Sequence, residues 1–312
     1  MFYNKAFEDG VSSDPERSDS ERRLSVHMIV ALLPAFIWSV IVFGWRTVVL
    51  TAFSVGFCVG FEYLYRIIKK ESYRGNELPT VVIGILLAFS MPSRTALWLI
   101  PIGSFVAVFI VKDLGGGIVK GILSPVVAAR VFLSVCFGGL MDDFSEPITD
   151  AATSVTVLAS LKCGTIPSGI GIVKAFLGIC PGNIGEVSVL MLLIGGVYLI
   201  IRRVITWHVP VAFIGTVAAF GVMFPQVGGN FEHMLYSVFA GGLTFGAFFI
   251  ASDRSIAPVS RWGKILFGVG CAAITLFIRY FSTCADDVFY AVMIMLPCVY
   301  LVRRVFRSEF KR

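Results

Sequence analysis

The chain has 312 residues, of which 57% are apolar and only 15% charged, with a mean hydropathy of +0.85. Soluble domains hold roughly 45–50% apolar and about 25% charged residues, so this composition excludes a water-soluble enzyme or binding domain and indicates a polytopic membrane protein. The net charge of +6 is compatible with nucleic acid, but no nucleic-acid partner is expected, because the basic residues are distributed as membrane topology requires.

In chain order, residues 1–23 are polar, contain Asp14-Pro15-Glu16-Arg17, and lack the basic, apolar and small-residue succession of a signal peptide. They read as a cytoplasmic tail. A helix crossing hydrocarbon needs about 17–25 apolar residues, and such segments follow near 28–45, 47–67, 78–92, 96–111, 122–141, 186–201, 208–225, 235–251, 263–281 and 288–306. The expected fold class is therefore an all-α polytopic membrane protein of about ten transmembrane helices. One transmembrane domain covers 24–307, with a long outer loop at 142–184, and a second cytoplasmic tail covers 308–312.

Orientation follows from charge. With the amino terminus inside, ten spans return the carboxyl terminus to the same side. The inner face then collects 20 of the 26 basic residues, among them Arg66, Lys69, Lys70, Arg74, Arg202, Arg203, Arg303, Arg304 and Arg307. Lys and Arg mark cytoplasmic loops. The loop at 142–184 carries Asp142, Asp143, Glu146 and Asp150 and falls outside.

Five spans per half invert the second half relative to the first. The third segment breaks at Phe89-Ser90-Met91-Pro92-Ser93-Arg94; the eighth is interrupted by Gly241, Gly242 and Gly246 and breaks at Ala251-Ser252-Asp253-Arg254. Broken segments at matching positions of two halves are the pointer to a midplane site in an inverted 5+5 repeat. Backbone freed at such breaks survives in a bilayer only where protein, water or a ligand lines it.

The outer loop reads Asp150-Ala-Ala-Thr153-Ser154-Val155-Thr156-Val-Leu158. This resembles the flavinylation signature Asp-x-x-(Ser/Thr)-Gly-Ala-Thr, in which the last threonine is esterified to the phosphate of FMN by a dedicated transferase. Asp150, Thr153 and Thr156 match; Ser154 replaces the glycine and Val155 the alanine. Thr156 is the candidate acceptor, and the plain alternative is that Thr153 and Thr156 are ordinary cap or loop hydroxyls.

The resemblance extends along the chain. Gly115-Gly116-Gly117 leading to Ser124-Pro125-Val126 and Arg130-Val131-Phe132-Leu133 looks like the Gly-Gly…Asn-Pro-Ala…Arg-Ala-Phe-Leu segment of the RnfD/NqrB family, with Ser124 in place of the asparagine. Gly182-Asn183-Ile184-Gly185-Glu186-Val187-Ser188 is similar to that family's entry into the sixth span. Gly246-Ala247-Phe248-Phe249-Ile250-Ala251-Ser252-Asp253 matches its Gly-Ala-Phe-Phe-x-Ala-(Thr/Ser)-Asp stretch, and Phe277-Ile278-Arg279 its ninth span. The short amino-terminal tail favours the Rnf branch of the family.

The resemblance implies a membrane component of a redox-driven ion pump, the Rnf electron-transport complex, moving electrons between ferredoxin and NAD in the inner membrane of a bacterium. It further implies FMN held covalently at Thr156, a second, noncovalent riboflavin, and translocation of Na+ or H+. The implied partners are the other Rnf complex subunits (A, B, C, E and G), the flavin transferase and membrane lipid. Such a cofactor carries the electron while the protein positions it and tunes its surroundings.

Arg130 lies inside the fifth segment, where an arginine costs at least about 2.5–3.5 kcal/mol. It either stabilises reduced flavin or its phosphate, or binds helix carbonyls or an acidic side chain. Glu186 and Ser188 open the sixth span beside the loop, and Glu186 either complements the helix dipole or handles an ion. Asp253, Asp286 and Asp287 read as solvated loop carboxylates. Cys163 and Cys180 share the outer loop, which leaves a disulfide open. Two alternatives stand beside the flavin reading: a transport channel on the same inverted scaffold, and an assembly scaffold without flavin, which Ser154 and Val155 keep in play.

Overall fold

The structure is a computed structural model that describes residues 15–70, 77–114, 123–141, 144–145, 152–153, 156–165, 170–186, 188–225, 229–240, 242–253, 256–258, 260–282, 284 and 286–309. It is an all-helical membrane protein apart from one two-residue strand pair. The helices are α1 (Pro15–Phe43), α2 (Arg46–Lys69), α3 (Leu78–Phe89), α4 (Leu99–Ser104, widening to a π-helix over Phe105–Leu114) and α5 (Pro125–Met141). They continue with α6 (Val157–Lys162), α7 (Ile172–Leu177), α8 (Val189–Ile201), α9 (His208–Met223) and α10 (Asn230–Phe239). The last are α11 (Leu243–Phe245, continuing as a π-helix over Gly246–Ile250), α12 (Arg261–Phe281) and α13 (Asp287–Glu309).

Every apolar segment expected from the sequence is occupied by helix, but the lengths differ. Ser20–Phe43, Arg46–Lys69 and Arg261–Phe281 are long and apolar enough to cross a bilayer by length and composition. α10 with its continuation to Ile250 makes a fourth if counted as one span bent by 60°. At about 1.5 Å per residue, α3, α8 and α9 fall short of a hydrocarbon core roughly 30 Å thick. α1 begins at Pro15, so the expected polar tail already carries the first turns of helix.

Apolar side chains face outward as well as filling the core, unlike the surface of a soluble protein. Trp45, Ile41, Ile68, Ile201, Met223 and Phe281 are exposed on the outside, whereas Ser39, Thr47, Ser54, Thr80, Ser104 and Thr275 are buried between helices. Lipid tails offer no hydrophobic gain for helix association, so close backbone approach and small or hydroxyl side chains hold such a bundle. At the crossing of α1 and α8 a Cβ on Gly195 would lie 2.1 Å from the Ala31 carbonyl oxygen, which only glycine permits.

One buried charge cluster ties α2, α3 and the first π-helix together. Glu62, 6% exposed, accepts from Arg66 at 2.5 Å and from Lys112 at 2.9 Å, and Thr80 Oγ1 donates to its second oxygen.

The two breaks expected from the sequence meet. α3 stops at Phe89, and the strand-like stretch after it pairs with the segment entering α8. Ile184 N donates to Met91 O at 3.0 Å, Gly185 N donates to Phe89 O at 2.8 Å, and Pro92 bridges Asn183. The eighth segment is interrupted at Ala240–Gly242, where Gly242 takes φ +64°, and its helix ends at Ile250, just before the expected Ala251–Arg254 break. The rings of Phe89 and Phe245 lie 6.4 Å apart across the junction. Segment 183–186 is thus wedged between both breaks, and Ser39 of α1 fastens it by donating to Ile184 O at 2.5 Å.

Candidate functional site: a cleft between the outer loop and the broken helix

The long loop folds onto α10. Val157, Leu158 and Leu161 on one face of α6 pack with Ala175 of α7, Cys180, Tyr236 and Ala240 into a small core separate from the main one. Tyr236 Oη anchors it by donating to Ile170 O at 2.9 Å. Strands β1 (Phe144–Ser145) and β2 (Ala152–Thr153) pair antiparallel, with Phe144 opposite Thr153, and deliver the chain to Thr156.

Thr156 starts α6. Its extended backbone places Oγ1 to accept from Ala159 N at 3.2 Å, the ordinary geometry of a helix N-cap. The hydroxyl is also one wall of a small, partly open cleft with a cavity volume of about 50 Å³. Phe144, Val157, Leu158, Cys180, Pro181, Phe239 and Ala240 supply apolar walls, and Gly182, Asn183, Glu186 and Gly242 form the remainder.

The polar groups converge from segment 183–186. Asn183, 6% exposed, donates through Nδ2 to Glu186 Oε2 at 2.8 Å, while its Oδ1 has no partner among the described residues. A buried acceptor left alone costs about 1–3 kcal/mol, and an N–H or O–H of a ligand in the cleft would satisfy it. Glu186 is partly buried. Its carboxyl packs so closely on the break that a Cβ on Gly242 would meet Cδ at 2.4 Å.

Behind Glu186 two arginines are fully committed. Arg130 of α5, 1% exposed, donates to Asp286 Oδ1 through Nε at 3.1 Å and Nη2 at 2.6 Å, and through Nη1 to Met141 Sδ at 3.0 Å. Arg279 of α12 donates to Asp287 and caps the end of α10 through Ser237 O at 2.5 Å and Ala240 O at 3.2 Å. Asp287 is 0% exposed and also accepts from Val288 N at 2.8 Å. Asp286 and Asp287 are therefore not solvated loop acids. An arginine inside an apolar segment requires a counter-ion, and Arg130 and Arg279 are the signal in the sequence that two nearby carboxylates are buried.

Of the residues expected at the site, Thr156 and Glu186 share the cleft. Arg130 lies behind it rather than in its wall, with an acidic side chain as partner. Ser188 caps α8, its Oγ accepting from Met191 N at 3.4 Å. Thr153 lies in β2. Asp150, Ser154, Val155 and the Gly115–Gly121 stretch lie outside the described residues. Asn183, part of the motif that enters the sixth span, is the polar group of the cleft that the sequence alone does not single out. Cys163 is exposed and Cys180 buried, both as free thiols; burial pushes the Cys180 thiol up to about 12.

Comparison with known proteins finds relatives over most of the chain. The profile of the NQR2, RnfD, RnfE family matches residues 11–311. The chain is 35% identical over 300 residues to the D subunit of the Na(+)-translocating ferredoxin:NAD(+) oxidoreductase complex of Acetobacterium woodii, covering 94% of this chain and 92% of that one. It is 31% identical to the D subunit of the proton-translocating ferredoxin:NAD(+) oxidoreductase complex of Clostridium ljungdahlii (91% and 90% covered). With the D subunit of the ion-translocating oxidoreductase complex of Stutzerimonas stutzeri the identity is 29% (92% and 91% covered). The chain belongs to the NQR2, RnfD, RnfE family.

Proposed function

We propose that this protein is the membrane subunit of an ion-translocating ferredoxin:NAD oxidoreductase that passes electrons through FMN joined by its phosphate to Thr156. The observation that carries the reading is the convergence of the Thr156 hydroxyl, the orphan Asn183 acceptor and apolar cleft walls in a chain of this family.

The residues fit such a group. Thr156 Oγ1 supplies the ester oxygen, Asn183 Oδ1 accepts an N–H or O–H, and Phe144, Leu158 and Phe239 keep water from the apolar part. When bound, the flavin supplies reversible electron uptake that no side chain here can provide. Arg130 and Arg279, already neutralised by Asp286 and Asp287, lie behind the cleft and add no net charge to it.

The membrane arrangement belongs to the same proposal. Ten spans in two inverted halves, with both termini cytoplasmic and the Thr156 loop outside, accommodate the short helices as broken crossings completed by the residues that flank them and keep Lys and Arg inside. Partners include the other Rnf complex subunits (A, B, C, E and G) and a flavin transferase; a second, noncovalent riboflavin is part of the reading. Moving one charge against 100 mV takes about 2.3 kcal/mol, so electrons must enter and leave through neighbouring subunits. Relatives are named for both sodium and the proton, and turnover of the intact complex with sodium varied at fixed pH identifies the cation.

The test is direct. In a host that makes the flavin transferase, the denatured chain fluoresces under ultraviolet light on a gel. The signal vanishes in Thr156→Ala, and mass spectrometry finds FMN on the peptide containing Thr156. An unmodified peptide in assembled native complexes rejects the proposal in favour of a channel or a scaffold, and labelling that places the loop in the cytosol rejects its topology.

A further inference from the structure

Glu186 differs from the two other carboxylates beside it. Asp286 has Arg130, and Asp287 has Arg279. Among the described residues, the hydrogen-bond donor to Glu186 is the neutral amide of Asn183. The groups facing it are Arg130 from α5, already bound to Asp286, and Asp286 and Asp287 themselves at the start of α13. From α6, Lys162 donates to Cys284 O and faces Asp287. Cys180 in the cleft wall is a buried thiol that remains protonated. The break before α11 contributes the backbone of Gly242.

The charges therefore sum to two arginines against three carboxylates around Glu186, with Lys162 at the edge. A carboxylate taken out of water without a cation is disfavoured by desolvation and by the like charges beside it. Glu186 also opens to the cleft, so a proton at its carboxyl has a route to water.

We propose that Glu186 is a proton-exchanging group: its carboxyl is protonated at rest and trades that proton with water in the cleft when the charge there changes. The step is Glu186–COOH plus water giving Glu186–COO⁻ plus hydronium, and its reverse; no electron is transferred. Its position gives the step mechanical reach, because the same side chain is packed on Gly242 at one break while Gly185 beside it packs on Phe89 at the other. Ionising Glu186 places a charge at the junction of both broken helices. That the change of charge comes from a tethered flavin rests on the function proposed above; the protonation itself does not.

The experiment separates the two. In purified complex carrying Thr156→Ala, which has no attachment hydroxyl, infrared difference spectra taken between neutral and alkaline pH should show loss of a protonated-carboxyl C=O band. That band should shift in D2O, shift again in Asn183→Ala, which loses the hydrogen-bond donor, and be absent in Glu186→Gln. In complex with Thr156 intact, the flavin midpoint potential should fall with pH, and Glu186→Gln should make that dependence shallower, leaving the part that belongs to protonation of the flavin itself. The proposal is overturned if no such band is present at neutral pH, if sodium abolishes it at constant pH, or if Glu186→Gln leaves the pH dependence of the potential unchanged. Should Glu186→Gln fail to assemble, the Asn183→Ala shift in the infrared arm still decides. Absence of covalent flavin from the wild-type chain would defeat the function proposed for Thr156 while leaving the infrared result to judge Glu186.

Discussion

Two clusters of buried charge hold this bundle together, and they are built on opposite rules. Around Glu62 one carboxylate is met by two cations and a hydroxyl, Arg66, Lys112 and Thr80, and both cations retain some exposure, 18% for the Arg66 side chain and 24% for Lys112. Around Asp286 and Asp287 each acid has one arginine, both pairs are almost wholly buried, and Glu186 is left with an amide. The first cluster is over-supplied with donors and can only brace helices. The second is short of positive charge next to an open cleft, the condition under which protonation matters.

The largest expected effect tests the tightness of the second cluster. Arg130→Ala leaves Asp286 buried and unpaired, which costs about 3–5 kcal/mol, and thermal denaturation of the detergent-solubilised complex should show a large loss of stability or no assembly. Arg130→Met combined with Asp286→Leu should recover most of it, since apolar replacements of a buried pair are often neutral. If the single substitution behaves like the double, the pair is not isolated from water and the contrast between the clusters fails. Glu62→Gln should cost less, about 2 kcal/mol, because Lys112 and Arg66 reach solvent when their acid is removed; the same denaturation series places it below Arg130→Ala.

Gly242→Ala comes next, at about 1–2 kcal/mol of backbone strain from φ +64° plus displacement of the Glu186 carboxyl. In a Glu186→Ala background only the strain should remain, so a double-mutant cycle that shows full additivity would deny the contact between Glu186 and the break.

Much of this is legible in the sequence, and the remainder has physical reasons for being hidden. Apolar runs locate the long helices, though not the short α6 and α7 inside the segment read as a loop, and Pro92 and the glycines at 241–246 mark both breaks, because lipid leaves so few ways to satisfy a backbone. Hydropathy shows the polar stretch at Ala251–Arg254 as the end of the segment, which the helix ending at Ile250 matches, while the bend at Ala240–Gly242 rests on a left-handed glycine that only the run Gly241-Gly242 signals. Asp286 and Asp287 read as solvated since neither sits in an apolar run. Their burial follows from pairing with Arg130 and Arg279, and Arg130 is distant in sequence. Asn183 is invisible as a site residue because its importance lies in an acceptor without a partner, a property that exists only once segment 183–186 is wedged between the breaks.

The smallest effect probes the margin of the second cluster, where Lys162, among the described residues, is the cation not locked to a carboxylate at short range. Burial holds its ammonium below the ordinary lysine value of 10.5, partly opposed by the nearby Asp287. Because the folded state then releases its proton before the unfolded state does, the unfolded chain binds more protons between the depressed value and 10.5, and stability rises with pH across that window. Below the window both states are protonated and the full penalty of the half-buried charge is present. Lys162→Gln should therefore raise stability slightly at neutral pH, by less than about 1 kcal/mol for a partly exposed group, and flatten the alkaline rise in thermal midpoint. A loss of stability at neutral pH would instead mean that Lys162 is needed to balance Asp287 and Glu186, and the second cluster would then be no shorter of positive charge than the first.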